Sequence, residues 1–307
     1  MLALQEARQT VVHERQRSLE IELVDISASL SRPFTYFKTN NGMIFYSRGT
    51  FSKDQQAVRA TLVYIPRLAS AGYQKIIFNG YPEDKKFLSS IERPELKDRV
   101  AQYFTLDQKT QEYGLQVPLD EIDHVFDAHD AFQSWLTQEG ATADTLRRIR
   151  EILTDQIGIA LVDIGVYGSL QCGVKNNGDR VRDYDMAVFG IEHMEVIKAI
   201  KAMPQFSRPE TNWIDTMANG RNTTAKHRKS GATFCITGED GHEKIEVELK
   251  VIRKPGDKNS YEEGKELLYS QAHSFVSGVV IDDTESLCTP TAYKIITPEN
   301  KTITVIS

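Results

Sequence analysis

The chain has 307 residues, 40% apolar and 26% charged, which is the composition of an ordinary globular protein with material for about two domains. Its 37 Lys and Arg against 43 Asp and Glu leave a net charge of −6, which excludes a strongly basic nucleic-acid coat and leaves room for a local basic groove. Cys172, Cys235 and Cys288 stand far apart, with no CxxC and no Cys/His ligand spacing, so neither a disulfide framework nor a structural zinc is expected. Residues 1–20 read as a polar helix, charged at Glu6, Arg8, Glu14, Arg15 and Arg17, with no apolar core of a signal peptide. Leu19–Ile26 then alternates with period two, and Phe34–Lys38, Met43–Ser47, Arg59–Ile65 and Tyr73–Asn79 are aromatic or β-branched runs, so each predicts a strand. Asn40-Asn41-Gly42 marks a hairpin, because Asn and Gly tolerate the positive φ of a tight turn. Helix is expected from Gly80 to about Phe104 and again over Phe126–Thr137.

A second unit is expected near Ala141. Thr142 caps a predicted helix with Leu146, Ile149, Leu153 and Ile157 on one face and Gly158 as its stop. A strand is predicted over Ile159–Val166, another over Tyr184–Phe189, and a helix over His193–Met203. Ala232–Thr237 and Lys244–Ile252 flank Gly238-Glu-Asp-Gly241 and read as a hairpin, and Phe275–Ile281, Ala292–Ile296 and Thr302–Ile306 supply further β runs. The most apolar stretch, Ile157–Tyr167, is broken by Asp163 and falls short of the ~18 residues of a spanning helix, so a cytoplasmic protein without a membrane partner is expected.

Three segments carry chemistry. Val166-Tyr167-Gly168-Ser169 follows an apolar strand, and a Gly-Ser turn leading into a helix aims backbone N–H groups and a hydroxyl at one point, which suits a phosphate. Asp183-Tyr184-Asp185 puts two carboxylates on one strand face, where they repel each other unless a cation neutralises them. Lys244-Ile-Glu246-Val-Glu248-Leu-Lys250 offers a third carboxylate from another strand, completing a Mg²⁺ clamp for in-line phosphoryl displacement.

In that order the segments resemble the DNA polymerase β-like nucleotidyltransferase superfamily. Its pattern is an apolar residue, Gly-Ser, a glycine about four residues on, a D-x-D strand and a third acid on a later strand. Tyr167-Gly168-Ser169, Gly173, Asp183-Tyr184-Asp185 and the Glu246/Glu248 strand carry the likeness over residues 140–255. The stretch from Gly173 to Asp183 is longer than usual, Arg182 stands where a small Ser often sits, and the third acid is Glu with two candidates. The layout from Phe37 to Pro66 also resembles nucleotidyltransferase-domain proteins of archaeal and bacterial type.

The resemblance implies an α+β protein: a β-rich N-terminal domain with helices (1–138), a polymerase β-like nucleotidyltransferase domain with a mixed sheet and flanking helices (139–262), and a small C-terminal β segment (263–307). It implies two-metal transfer of a nucleoside monophosphate from an NTP to a hydroxyl acceptor, either RNA or a small molecule. Asp183 and Asp185 would hold Mg²⁺ or Mn²⁺, joined by Glu248 or Glu246, with Glu248 preferred. Gly168 and Ser169 would hold the β/γ-phosphates, and Lys226 and Lys229 of the basic run Lys226-His-Arg-Lys229 would neutralise phosphate. The alternative is a protein that keeps this fold and binds RNA or a partner without catalysis. Outside the motif, Tyr36, Phe37, Phe45 and Tyr46 read as core, with a base-stacking platform as the other reading. Asp163 reads as structural and Cys172 as a small packing residue.

Overall fold

Alternating apolar residues build the first sheet. The structure is a computed structural model, and it describes residues 26–52, 56–68, 72–78, 89–106, 113–174, 183–200, 232–237, 244–254, 257, 277–285 and 292–306. Residues 26–30 are helical, so the strand expected to end at Ile26 does not reach it; the rest of that strand, the helix expected at 1–20 and the basic run at 226–229 lie outside the described residues. The protein is mixed α+β with several sheets, and among the described residues no helix is long and apolar enough to cross a membrane.

The chain divides into two units, Met1–Phe126 and Asp127–Ser307. In the first, β1 (Tyr36–Thr39), β2 (Ile44–Phe51), β3 (Ala57–Pro66), β4 (Tyr73–Phe78), β5 (Phe104–Leu106), β6 (Tyr113–Pro118) and β7 (Ile122–Phe126) form one seven-stranded sheet. Its order is β5-β6-β3-β2-β1-β7, with β4 added on β3, and every pairing is antiparallel. The β1–β2 hairpin turns at Gly42, whose φ of +83° is the conformation the Asn-Asn-Gly signal requires. Strand β3 serves two neighbours on one edge, β6 along Ala57–Ala60 and β4 along Leu62–Pro66. Helix α1 (Pro94–Tyr103) starts with proline in its first turn and buries Leu96, Val100 and Tyr103 in the same core. Of the helix expected from Gly80, residues 80–88 lie outside the described residues; the described α-helix starts at Pro94, and Phe104 already belongs to β5. The aromatic pairs divide between the two faces of the hairpin. Phe37 and Phe45 are fully buried and stack at 5.5 Å in the core, whereas Tyr36 and Tyr46 meet at 5.7 Å on the other face.

The second unit begins with α2 (Ala128–Leu136), ahead of the boundary expected at residue 138, because Phe132 packs into the second core. Asp127 caps this helix by accepting the backbone N–H of His129 (2.8 Å) and Asp130 (2.9 Å). Helix α3 (Ala141–Glu151) is entered through Gly140 at φ +111°, so Thr142 lies inside the first turn and does not cap it. The helix widens into a π-helical turn over Ile152–Gln156 and stops at Gly158 (φ +83°), with Leu146, Ile149, Leu153 and Ile157 buried as their spacing predicts. The expected strand Ile159–Val166 splits into a 3₁₀ turn, Leu161–Asp163, and a short β8, Ile164–Val166. With β9 (Asp183–Phe189), β10 (Ala232–Thr237) and β11 (Lys244–Ile252) it forms a four-stranded sheet of order β10-β11-β9-β8. Helix α4 (Met194–Ile200) follows β9 and buries Met194, Ile197 and Ile200. The last strands, β12 (Val279–Glu285), β13 (Ala292–Ile296) and β14 (Thr302–Ile306), form a separate antiparallel sheet.

Candidate functional site

Strands β9 and β11 bring the acidic segments side by side. They run parallel, with Asp183 opposite Glu246 and Asp185 opposite Glu248. Side chains alternate between sheet faces, and Tyr184, Met186 and Val188 on β9, with Val247, Leu249 and Val251 on β11, all enter the apolar core. Asp185, Glu246 and Glu248 therefore belong to the opposite face, and all three are partly exposed. Of Asp183 the backbone alone is described, at the position paired with Glu246. Further along that face the paired residues are Ala187 with Lys250, then Phe189 with Ile252, where Tyr167, Ala187 and Ile252 form a small apolar patch.

The turn after β8 closes onto these acids. The Tyr167 N–H donates to the Asp185 carbonyl at 2.9 Å. Gly168 follows at φ +68°, and a Cβ there would lie 2.5 Å from Asp185 Oδ2, so both the backbone conformation and the space require glycine. The turn is held by Val174 N–H to Ser169 O at 3.1 Å and by the Cys172 thiol, which donates to Gly168 O at 3.3 Å. The Trp135 indole N–H donates to Leu170 O at 2.9 Å and ties the turn to α2. Burial pushes the Cys172 thiol far above its usual range, which fits a packing residue. Residues 168–173 are consecutive turns and no α-helix. The expected helix N-terminus behind Gly168-Ser169 is thus replaced by turn N–H groups and the partly exposed Ser169 hydroxyl.

Among the described residues, Lys250 borders the acids. Lys250 Nζ lies 3.8 Å from Glu248 Oε1 and 4.5 Å from the Tyr167 ring centroid, with its side chain only 14% exposed. As a donor set, Asp185, Glu246 and Glu248 offer hard carboxylate oxygens, the kind that suits Mg²⁺ or Mn²⁺, and Asp185 lies against the Gly168 turn. Their oxygens do not draw together into a tight cluster.

Among the described residues the one tight group is Asp163, Glu192 and His193, whose ligand atoms all lie within 4.8 Å of one another, at the other end of the same sheet. Its cation is internal: Lys254 Nζ is 2.8 Å from Asp163 Oδ1 and 2.7 Å from Glu192 Oε1, while His193 Nε2 is 3.0 Å from Asp163 Oδ2. Burial opposes the Asp163 charge, but hydrogen bonds from Lys254 and His193 outweigh it and hold the carboxyl below its usual range. Lys254 is raised in turn, first by Asp163 and then by Glu192. Asp257 Oδ2 accepts the backbone N–H of Ile191 (3.1 Å) and Lys254 (2.8 Å), so the group clamps the 3₁₀ turn before β8 to the chain leaving β9 and β11.

Sequence reasoning singles out the two acidic segments that β9 and β11 bring side by side but misses Lys250, which reads only as another residue of an alternating strand. It also misses Lys254, His193 and Glu192, which carry no local motif. Lys226 and Lys229 lie outside the described residues. No protein-family profile, curated protein or solved structure matches the chain.

Proposed function

We propose that the protein is a metal-dependent nucleotidyltransferase that moves a nucleoside monophosphate from an NTP to a hydroxyl acceptor, an RNA end or a small molecule, in the cytoplasm. The observation that carries this reading is the in-register parallel pairing of Asp183-Tyr-Asp185 with Glu246-Val-Glu248, with Gly168 closed against Asp185. Asp183, Asp185 and Glu248, or Glu246 in its place, would hold the ions. Bound Mg²⁺ would neutralise phosphate charge and make the acceptor hydroxyl more acidic.

The chain's own residues then bind and orient. The turn N–H groups at Gly168 and the Ser169 hydroxyl would donate to the β- and γ-phosphates, and the absence of a side chain at Gly168 lets the Asp185 carboxylate lie directly against this turn. The acceptor oxygen bonds to the α-phosphorus as the bond to the β-phosphate oxygen breaks; pyrophosphate departs and the hydroxyl proton passes to water. Positioning and charge neutralisation supply the catalysis, with no covalent enzyme intermediate.

Among the described residues the carboxylate oxygens of Asp185, Glu246 and Glu248 do not form a tight ligand group, which favours as second reading a protein that binds RNA or a partner without catalysis. Thermal melting separates the two. NTP with Mg²⁺ at ~100 times Kd should add about 2.7 kcal/mol of stability, and NTP with EDTA should add none. An equal shift in EDTA would sink the two-metal reading.

A further inference from the structure

We propose that Lys250 is a positioning residue of the acid face, holding the Glu248 carboxylate and serving as the resident counter-ion that weakens the face's hold on divalent cations. The proposal rests on the nucleotidyltransferase reading above. Asp185 and Glu248 are paired across parallel strands, so their charges raise the local negative potential in the metal-free protein. The Lys250 ammonium offsets it from 3.8 Å, and because the side chain is only 14% exposed the interaction is screened less than a surface pair.

Its place is set from below and from the side. Nζ sits 4.5 Å from the Tyr167 ring centroid, a cation–π distance, and Tyr167 is itself buried and bonded through its N–H to the Asp185 carbonyl. Lys250 is paired with the small Ala187, which leaves room for the long side chain to lean toward the acids. It adjoins Glu248, while Glu246 lies a further two residues, ~7 Å, along the strand. Lys250 thus distinguishes the two glutamates and designates Glu248. A divalent ion arriving alone meets this ammonium; one arriving with a triphosphate brings the negative charge that offsets it. Cation and nucleotide therefore bind together.

The test uses the full chain and Mn²⁺ alone, with free Mn²⁺ read by electron paramagnetic resonance. Lys250→Met should bind Mn²⁺ about tenfold more tightly, the scale of one charge acting on a divalent ion across a few ångströms of hydrated surface. Lys250→Arg should stay near the wild-type affinity, and in a Glu248→Gln background Lys250→Met should have a smaller effect. Lys250→Gln gives the same tightening should the Met variant fail to fold, since it also removes the charge. A structural role predicts weaker binding, so unchanged or weaker Mn²⁺ affinity in a folded charge-removed variant overturns the proposal. If wild-type protein binds Mn²⁺ and Asp185→Asn abolishes that binding, such a result sinks the Lys250 assignment alone. If wild type binds no Mn²⁺ even with an NTP present, the nucleotidyltransferase reading falls with it.

Discussion

Asp185 and Glu248 stand directly opposite each other where β9 and β11 run side by side, and both point away from the apolar core. The pairing follows from two independent alternations that meet in register. A slip of one residue in either strand would send its carboxylates into the core and its valines and leucines to solvent. The acid face is thus fixed by the same burial that stabilises the sheet.

Glu246 and Glu248 should be unequal. Glu248 pairs with Asp185 and adjoins Lys250, whereas Glu246 pairs with Asp183 at the start of the strand. Glu248→Gln should lower nucleotidyl transfer at least about tenfold more than Glu246→Gln, a difference of ~1.4 kcal/mol in barrier. Transfer of an α-labelled NTP to acceptors in a cell extract measures it. Silence of both variants would place the third ligand elsewhere.

Gly168→Ala should damage fold and site together. Alanine at φ +68° is strained by about 1 kcal/mol, and its methyl would be driven onto Asp185 Oδ2. The expected result is a lower melting temperature with weaker Mg²⁺-dependent NTP binding. Asp185→Asn provides the contrast: it should leave the metal-free melting temperature unchanged or slightly raised, because a repelling charge is lost, while metal-dependent NTP binding disappears.

Acid should open the clamp around Lys254. The Asp163 carboxyl is depressed in the folded protein, so its contribution is complete above the ordinary carboxylate value, ~4, and is lost as pH falls through the lower folded value. Lys254 is raised, so its share is complete below ~10 and fades as pH climbs through the higher folded value. Lys254→Met should cost about 2 kcal/mol at neutral pH by leaving a buried carboxylate with one partner fewer. It should also shrink the loss of stability on acidification, as read by urea unfolding from pH 7 down to pH 2.

Cys172 should resist alkylation in the native state. Burial raises its thiol and the sulfur is engaged with Gly168 O, so iodoacetamide at pH 8 should label it only after unfolding. Peptide mass spectrometry reads the site directly; rapid native labelling would show that the Gly168 turn opens.

Much of this was legible in the sequence, for physical reasons that also explain what was missed. Strands β1 to β4 announce themselves through alternation and the Asn-Asn-Gly turn. β5, β6 and β7 do not: Phe104–Leu106 is three residues long, Tyr113–Pro118 contains both glycine and proline, and Ile122–Phe126 carries Asp123 and His124 in its middle. These strands exist because they add to edges already formed. The carboxylates were legible from period two, but their parallel pairing was not, since nothing local records which strand will lie beside β9. The Lys250–Tyr167 contact and the Asp163–Lys254 pair join distant segments, which no spacing rule encodes.

The chain between β9 and β11 is the detail with the widest reach. Residues 183 and 246 become neighbours only after a long loop has been closed, and that closure costs entropy before any ladder hydrogen bond repays it. Every carboxylate proposed for the chemistry sits across that late seam. A nascent chain that has not yet emerged through β11 holds one acidic strand alone, and a chain cut before Lys244 never gains the second. On the proposed reading, nucleotide-handling capacity would therefore appear only once β11 has joined β9, and divalent-cation binding would report when this four-stranded sheet is complete.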